Sequence, residues 1–449
     1  MGAFKESLIL NVLFPIVDLK YRTHFPYWYK QINKMISWTP NEILKWQTIG
    51  TQNLIQTAYN HSKYYHDLFI QNGLKPEDIK TINDLEKIPP LNKEIILSKF
   101  DDILLDNHQE YHFKKASTGG STGNPTQYIK DNESWGFDNA FNTIMWKRTG
   151  YNYGDKYLAL GSASLFPTNK RSILHEWYYK LKGKIPFNAM NLSEEKLGEC
   201  VKMIIDNDIH YIYGYASSIY LLAKYISEKG MKDKVQIKAC FPTSEILTET
   251  YRESIQNTFN CIIDDAYGAN DGGVNAHKIN GDIGYKVGYN CIVQIRPHNN
   301  LNPHFGTALL TDITNVVFPF IRYELGDELE LGKHNDLFFN GQILNKVIGR
   351  TSDVIELENG SILTSPGFTI LFKDLHVKAY RIYKSNPMEI TVVLVKLPNF
   401  NEIEERLIKD TILKNAGKDV HVILRYEDSI ITKKNGKNLF FLNEYNDKQ

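Results

Sequence analysis

The stretch Ile209-His210-Tyr211-Ile212-Tyr213-Gly214-Tyr215-Ala216-Ser217-Ser218 decides the architecture. Ile209 to Tyr213 is rich in β-branched and aromatic residues and reads as a short strand closed by Gly214. Ser217-Ser218 then offers an N-cap to a helical segment, Ile219 to Lys229, which stops at Gly230. The pattern repeats outward. Leu197 to Ile205 is apolar at helical spacing before it. Val235 to Phe241 reads as a strand, Thr248 to Phe259 as a helix and Cys261 to Asp264 as a strand after it, with Tyr267-Gly268 beyond. Strand, helix, strand, helix, strand at this spacing predicts βαβ units and a parallel sheet. Ligands of open parallel sheets gather at the carboxyl ends of the strands. That rule sets Tyr213, Gly214, Tyr215, Thr243-Ser244-Glu245 and Tyr267 to Asp271 on one rim.

The flanks complete the layout. Residues 40–80 read as mostly helical, with Asn41 as N-cap after Pro40. Ile88-Pro89-Pro90-Leu91 is an extended connector, because each proline disfavours helix in the residue before it. Ser134 to Thr149 reads as a helix and Lys156 to Gly161 as a strand. Gly306 to Leu331 reads as short strands with turns. The last hundred residues alternate β-rich runs (Ala379 to Tyr383, Ile390 to Val395, His421 to Tyr426) with one helix, Asn401 to Asn415. The expected organisation is α/β, with a large N-terminal domain over 1–349 and a small α+β domain over 350–449.

The 449 residues balance 52 basic against 52 acidic side chains, which argues against a nucleic-acid partner. Cys200, Cys240, Cys261 and Cys291 form no CxxC pair and read as reduced thiols of a cytoplasmic protein. The apolar run Leu8 to Val17 is too short to span a bilayer, which takes about 20 apolar residues. Pro15 is expected to break it and Asp18 to end it, leaving a core or docking segment. No transmembrane segment or signal peptide is expected.

Ser117-Thr118-Gly119-Gly120-Ser121-Thr122-Gly123-Asn124-Pro125-Thr126 gathers three glycines and five hydroxyl residues. Glycine lets the backbone approach a ligand, and consecutive N–H groups converge on anions. The run reads as a phosphate-gripping loop or as a polar linker; it lacks the Gly-Lys-Ser/Thr ending of a P-loop. Ala266-Tyr267-Gly268-Ala269-Asn270-Asp271 combines an aromatic that can stack on a base with a carboxylate suited to magnesium. Asp327, after Gly326, suits a pair of ribose hydroxyls. Arg350 suits phosphate. Lys433-Lys434-Asn435-Gly436-Lys437 is a basic run near the end.

In order and spacing these stretches resemble adenylate-forming enzymes, specifically the phenylacetate–CoA ligase, coenzyme F390 synthetase and CapK-type family. Thr118 to Pro125 resembles its phosphate loop, Tyr267-Gly268 with Asp271 its YGxxE motif, and Arg322-Tyr323 with Gly326-Asp327 its RYxxGD motif. Gly349-Arg350 with Asp353 resembles its GRxxD hinge, and Gly436-Lys437 its late lysine. The resemblance implies an ATP-dependent ligase that turns a carboxylic acid into an acyl-adenylate, releasing pyrophosphate, and passes the acyl group to coenzyme A or to an amine or amino sugar. It implies that Ser117, Thr118, Gly119, Gly120, Ser121, Thr122 and Gly123 hold ATP, with Ser244, Glu245, Tyr267, Gly268, Asp327 and Arg350. Lys437, Asp271 and Thr122 would be catalytic, Asp271 would meet Mg2+, and Asp353 would be the hinge. Tyr213, Gly214, Tyr215, Ala266 and Tyr267 would line the acid pocket, with Ser244 and the stretch 166–175. Two departures stand out. The motif glutamate is Asp271, and Asn124 and Thr126 occupy the place of a loop lysine. Relatives with a Cys/His metal site have more ligands than His277 and Cys291 supply, so no structural zinc is expected and His277 reads as a hydrogen-bonded core histidine. A non-catalytic nucleotide-binding scaffold is the reading from another class.

Overall fold

The computed structural model describes residues 2–117, 127–161, 173–189, 192, 194–298, 302–332, 339–350, 354–357, 362–364, 371–372, 375–428 and 441–442. The chain divides into two compact units. One is made of Met1–Ser117, Gln127–Leu325 and Leu329–Val347; the other holds Ile348–Gln449 with Gly326–Glu328.

The first unit opens with α1 (Gly2–Leu8), a π-helical turn over Ile9–Leu13 and α2 (Phe14–Tyr21). The helical path therefore continues through Pro15 and past Asp18, where the sequence pattern predicted an end. Pro15 follows directly on the π-helical turn, where the α-helical hydrogen-bond ladder is already interrupted. Asp18 turns inward and accepts hydrogen bonds from the Thr23 N–H and hydroxyl. Helices α3 (Phe25–Met35), α4 (Pro40–His61), α5 (Lys63–Gln71) and α6 (Lys93–Ile103) follow. The N-cap of α4 is Thr39, not Asn41: its hydroxyl accepts from the Glu42 N–H, and Glu42 returns the bond, a reciprocal capping box.

A two-stranded ribbon, β1 (Phe113–Ser117) and β2 (Gln127–Asp131), leads into α7 (Asn132–Lys147). The chain then alternates: β3 (Tyr157–Gly161), α8 (Ile173–Leu181), β4 (Lys184–Asn188), α9 (Glu194–Asp206), β5 (Tyr211–Tyr215), α10 (Ala216–Glu228), β6 (Ala239–Thr243), α11 (Glu249–Phe259) and β7 (Ile262–Ala269). Strands β4-β3-β5-β6-β7 pair in parallel, as the βαβ reading predicts. Apolar faces of α9, α10 and α11 bury Val201, Ile204, Ile219, Leu222, Ile226 and Ile255 against it.

Three boundaries differ from the sequence reading. Gly214 lies inside β5, not after it, because a side chain there would strike the neighbouring strand: a Cβ would come 2.1 Å from the Leu160 carbonyl oxygen. The serines of Ser217-Ser218 are not N-caps; α10 starts at Ala216, and the Ser217 N–H donates to the Glu245 carboxylate at 2.9 Å. The strand expected at Val235 to Phe241 starts at Ala239 and runs to Thr243.

The sheet continues through β8 (Val274–Ile279), β9 (Tyr285–Val287), β10 (Cys291–Pro297), β11 (Phe305–Asp312), β12 (Tyr323–Leu331) and β13 (Ile343–Arg350), in the order β10-β11-β12-β13-β9-β8-β7-β6-β5-β3-β4. Only Ile262 and Ile263 of β7 pair with β6; from Asp264 to Ala269 it pairs antiparallel with β8. A buried polar network ties the ribbon to this half. Asp131 accepts from the Val316 and Val317 N–H groups, and Asn315 donates to the Ile129 and Phe318 carbonyls.

The second unit contains a two-stranded pair, β14 (Val354–Glu356) with β15 (Ile362–Thr364), and a sheet of β16 (Val377–Asn386), β17 (Glu389–Lys396), β18 (His421–Tyr426) and β19 (Phe441–Leu442), ordered β18-β17-β16-β19. Helix α12 (Glu402–Ala416), capped by Asn401, buries Ile408 and Ile412 in a core with Ile382, Val392 and Leu394. This is the small α+β fold expected for the C-terminal part.

Replacing Gly214 by alanine should force β3 and β5 apart and cost about 1–3 kcal/mol, the usual range for overpacking. A urea midpoint unchanged from wild type would show that the strands accommodate the methyl group.

Candidate functional site

The carboxyl rim of the parallel strands carries most of the predicted residues that the structure describes. Ser244, just past β6, adopts a left-handed backbone conformation, φ +64°, rare for a residue with a side chain. That kink follows Thr243 and precedes Glu245, whose carboxylate meets the first turn of α10. The first N–H groups of a helix lack intrahelical partners and favour negative charge, so Glu245 satisfies α10 from outside.

Tyr267 and Gly268, expected to follow a strand, lie within β7, opposite Ala276 and Asn275 of β8. Asp271 occupies the tight turn between them, which Gly272 and Gly273 close at φ +86° and +72°. The Tyr323 hydroxyl donates to Asp271 at 3.2 Å. Two sequence motifs far apart in the chain therefore meet. Arg322 works beside them as a clamp: at φ +51° its guanidinium donates to the carbonyls of Glu86 and Ile88. The Glu324 N–H donates to the Leu91 carbonyl and the Leu91 N–H to the Arg322 carbonyl, which fixes the proline connector against β12. Asp327 is buried in β12, not in a turn. Arg350 closes β13. Ser117 ends β1. Thr118, Gly119, Gly120, Ser121, Thr122, Gly123, Asp353 and Lys437 lie outside the described residues.

Against the parallel strands and α7 lies a cavity of about 480 Å³, a size suited to a small organic molecule. Of the residues expected to line an acid pocket, Tyr213 lines this cavity; Gly214, Tyr215, Ser244, Ala266 and Tyr267 are not among its walls, and 166–172 of the stretch 166–175 lie outside the described residues. The reason is local. Gly214 is pressed on Leu160, and Ala266 and Tyr267 are engaged in the β7–β8 ladder. The walls come instead from residues the sequence reading passed over. One face of α7 contributes Trp135, Asp138, Asn139, Asn142, Thr143 and Trp146. They recur at intervals of three and one, which is one helical stripe. The opposite stripe, Phe137, Phe141, Ile144 and Met145, fills the core. Sequence alone reads a polar stripe as the wet side of a helix; here it faces a cavity. The signal was present in the tryptophans that bracket the stripe.

Tyr151, Tyr157, Tyr178 and Tyr179 add aromatic wall, and Trp146 packs face to face on Phe241 with centroids 4.1 Å apart. Burial pushes the Tyr213 hydroxyl up to about 12, so it is a neutral donor. Lys182 also lines the cavity. Its Nζ donates to Asn139 Oδ1 at 2.8 Å and stands 4.7 Å from the Tyr178 ring centre. Burial drives its ammonium down to about 7. Asp138 is held by Lys130 at 2.5 Å, and burial still raises its carboxyl to about 6. His277 is a buried core histidine, bonded to Asp264 and Asn142. Among the described residues no group of three or more His, Cys, Asp or Glu side chains could hold a metal, and no helix is long and apolar enough to cross a membrane.

Comparison with known proteins agrees with this architecture. No protein-family model matches the chain. Protein CapK of Staphylococcus aureus is 23% identical over 352 residues, 77% of this chain and 75% of that one. A 2-hydroxyisobutyryl-CoA ligase solved in the postadenylation state superposes with a TM-score of 0.68 at 16% identity, covering 91% of this chain and 90% of that one. The fold is that of the adenylate-forming ligases. An anthranilate CoA ligase in complex with anthranoyl-AMP superposes at 0.50, with 15% identity over 73% of this chain and 64% of that one. The resemblance drawn from the five motifs is thus borne out by both kinds of comparison, as is the α/β class with a small C-terminal α+β part.

The depressed Lys182 ammonium has a measurable consequence. Between about pH 7 and the ordinary lysine value of 10.5, the unfolded chain binds a proton at this position that the native chain does not. Lys182 thus contributes stability that rises with pH across that window. The stability difference between wild type and Lys182→Met should shift in favour of wild type from pH 7 to pH 9.5, read from urea midpoints. A difference independent of pH would place the proton on Lys182 at both values.

Proposed function

We propose that the protein is an ATP-dependent carboxylic acid ligase that forms an acyl-adenylate and releases pyrophosphate. The observation that carries this reading is the glycine turn that holds Asp271, bonded to Tyr323, next in sequence to Asn270, which lines the same aromatic cavity as Tyr213. The acid would occupy the cavity with its carboxylate toward the rim, and the nucleotide would lie across the rim itself. The chain's likeness over nine-tenths of its length to a ligase solved with an acyl-AMP supports the same reaction.

The assignments divide by chemistry. Attack of a carboxylate on the α-phosphate builds negative charge that neutral donors in the loop Ser117, Thr118, Gly119, Gly120, Ser121, Thr122 and Gly123 would stabilise. Lys437 would bridge carboxylate and α-phosphate as a mobile point charge. Tyr267 and Gly268 would pack on adenine, Asp327 would accept from the ribose hydroxyls, and Arg350 would meet ribose or phosphate. Ser244 and Glu245 shape the rim through the kinked backbone and the capped helix. Asp271 fits magnesium as a hard oxygen ligand. Among the described residues no group of three or more His, Cys, Asp or Glu side chains could hold a metal, so the ion would be shared with substrate phosphates, its common mode. Asp353 would be the hinge that lets the small domain serve the second half-reaction.

For the acceptor, the likeness to CapK favours an amine or amino sugar of surface-polysaccharide assembly. The solved relatives that carry CoA ligase names favour coenzyme A as the alternative.

The decisive experiment is pyrophosphate release with ATP and magnesium across a panel of carboxylic acids, each with and without coenzyme A or amino sugars. Acid-dependent release is expected, and the acceptor that multiplies turnover names the second step. Lys437→Ala should lower acid-dependent release by at least about a hundredfold, the scale of a lost transition-state charge contact, while ATP binding survives. Binding of ATP without release for any acid, in wild type, would favour the scaffold reading.

A further inference from the structure

Among the described residues, two lysines of the cavity, Lys182 and Lys114, have no carboxylate paired with them. They line it with Lys184, which lies over the Tyr179 ring, and with two carboxylates, Asp18 and Asp138. Both carboxylates are already engaged: Asp18 accepts twice from Thr23, and Asp138 is paired with Lys130. Lys182 donates to a neutral amide oxygen, and among the described residues no carboxylate pairs with it. Lys114, exposed at the cavity's edge, lies over Trp135 at 4.8 Å and over Tyr21 at 5.6 Å. Its ammonium is lowered by partial burial and then by the charge of Lys182, so the two cations feel each other. Two cations brought into one partly desolvated space without a counter-charge are costly unless an anion joins them.

Strand register gives the cavity a direction. Lys184 stands opposite Tyr157 at the amino end of the parallel strands. Tyr213 pairs with Ala159, two residues further along, or about 7 Å. Asn270 sits beyond, at the β7–β8 turn. Lys182, two residues before Lys184, therefore has its backbone at the end of the strands opposite Asn270, while Lys114 lies over Trp135 at the start of α7.

We propose, resting on the ligase reading above, that the acid taken by this cavity carries a second negatively charged group, which Lys182 holds with Lys114 beside it while the reacting carboxylate lies toward Tyr213 and Asn270. The aromatic walls between the two ends take a ring or short apolar body. The substrate class is thus a dianion, such as a dicarboxylic acid, of which one end is activated and the other only bound.

Trp135 and Trp146 line the cavity and provide a binding signal that needs no ATP. The full-length chain is titrated by tryptophan emission with benzoate and phenylacetate, and with isophthalate, 4-carboxyphenylacetate and glutarate to sample different charge separations. At least one dicarboxylate should bind about tenfold or more tightly than either monoacid, the scale of one hydrogen bond to a charged group. Lys182→Met should erase the preference, Lys182→Arg should retain it, and Lys114→Met should reduce it. ATP and pyrophosphate, titrated alone, should not compete for the signal. Equal affinity for mono- and dicarboxylates, a Lys182→Met variant that keeps the preference, or competition by pyrophosphate would each overturn the proposal. Exchange of labelled pyrophosphate into ATP separates the two levels. Exchange with monoacids only leaves the ligase reading standing and removes the second anion. Lys182-dependent dicarboxylate binding without exchange keeps the anion site and removes the ligase reading.

Discussion

Strand β7 divides its hydrogen bonds between the parallel and the antiparallel half of the sheet, and the rim depends on that division. Its first two residues complete the parallel stack of β3, β5 and β6. The next six turn to β8 and run antiparallel. A strand that left the parallel stack at its normal carboxyl end would drop Tyr267 and Asp271 into an open loop. By staying paired, β7 carries them past the end of β6 on rigid backbone. Pro242 of β6 fits the same constraint. A proline inside a central strand removes a ladder bond, and it is tolerated here because β7 has parted from β6 after Cys240.

The glycines around the rim answer to that geometry, each for a separate reason. Gly214 lets β5 lie flat on the Leu160 carbonyl. Gly272 and Gly273 adopt positive φ so that β7 can reverse directly into β8, and a side chain on Gly273 would collide with Asp312. Asp312 in turn accepts from Ser134 at the start of α7 and from Thr314. The hairpin turn bearing Asp271 is thereby coupled by direct packing to the helix whose polar stripe walls the cavity.

How much of this was legible in the sequence follows from the range of the forces involved. The βαβ order over 192–268 was readable, because period and propensity are local. The strand and helix pattern of the C-terminal part was readable for the same reason, down to Asn401 at the start of α12. The cap of α10 was not, because Glu245, from the far side of β6, replaces the serine hydroxyl that local rules favour. The strand ends at Gly214 and Tyr267 were misplaced because glycine and aromatic residues signal turns unless a neighbouring strand demands them, and neighbours are a tertiary fact. The cavity was the least legible feature. Asp138, Asn139, Asn142 and Thr143 look like a solvated helix face, and only the packing of α7 on the sheet turns that face inward.

That inversion bears on substrate choice. A helix that presents amides and a carboxylate to a cavity spends polar contacts on the interior that a purely apolar pocket would omit. Such contacts discriminate strongly, because a ligand that fails to match them leaves buried groups unpaired. Asn142 is held by His277, and Asp138 by Lys130, so their orientations are set before any ligand arrives. Among the described residues Lys182 is paired with no carboxylate, and it rests on Asn139, one turn from Asn142 and Thr143 on the same stripe. The fixed amides define where a ligand lies, and the lysine defines what its far end must offer.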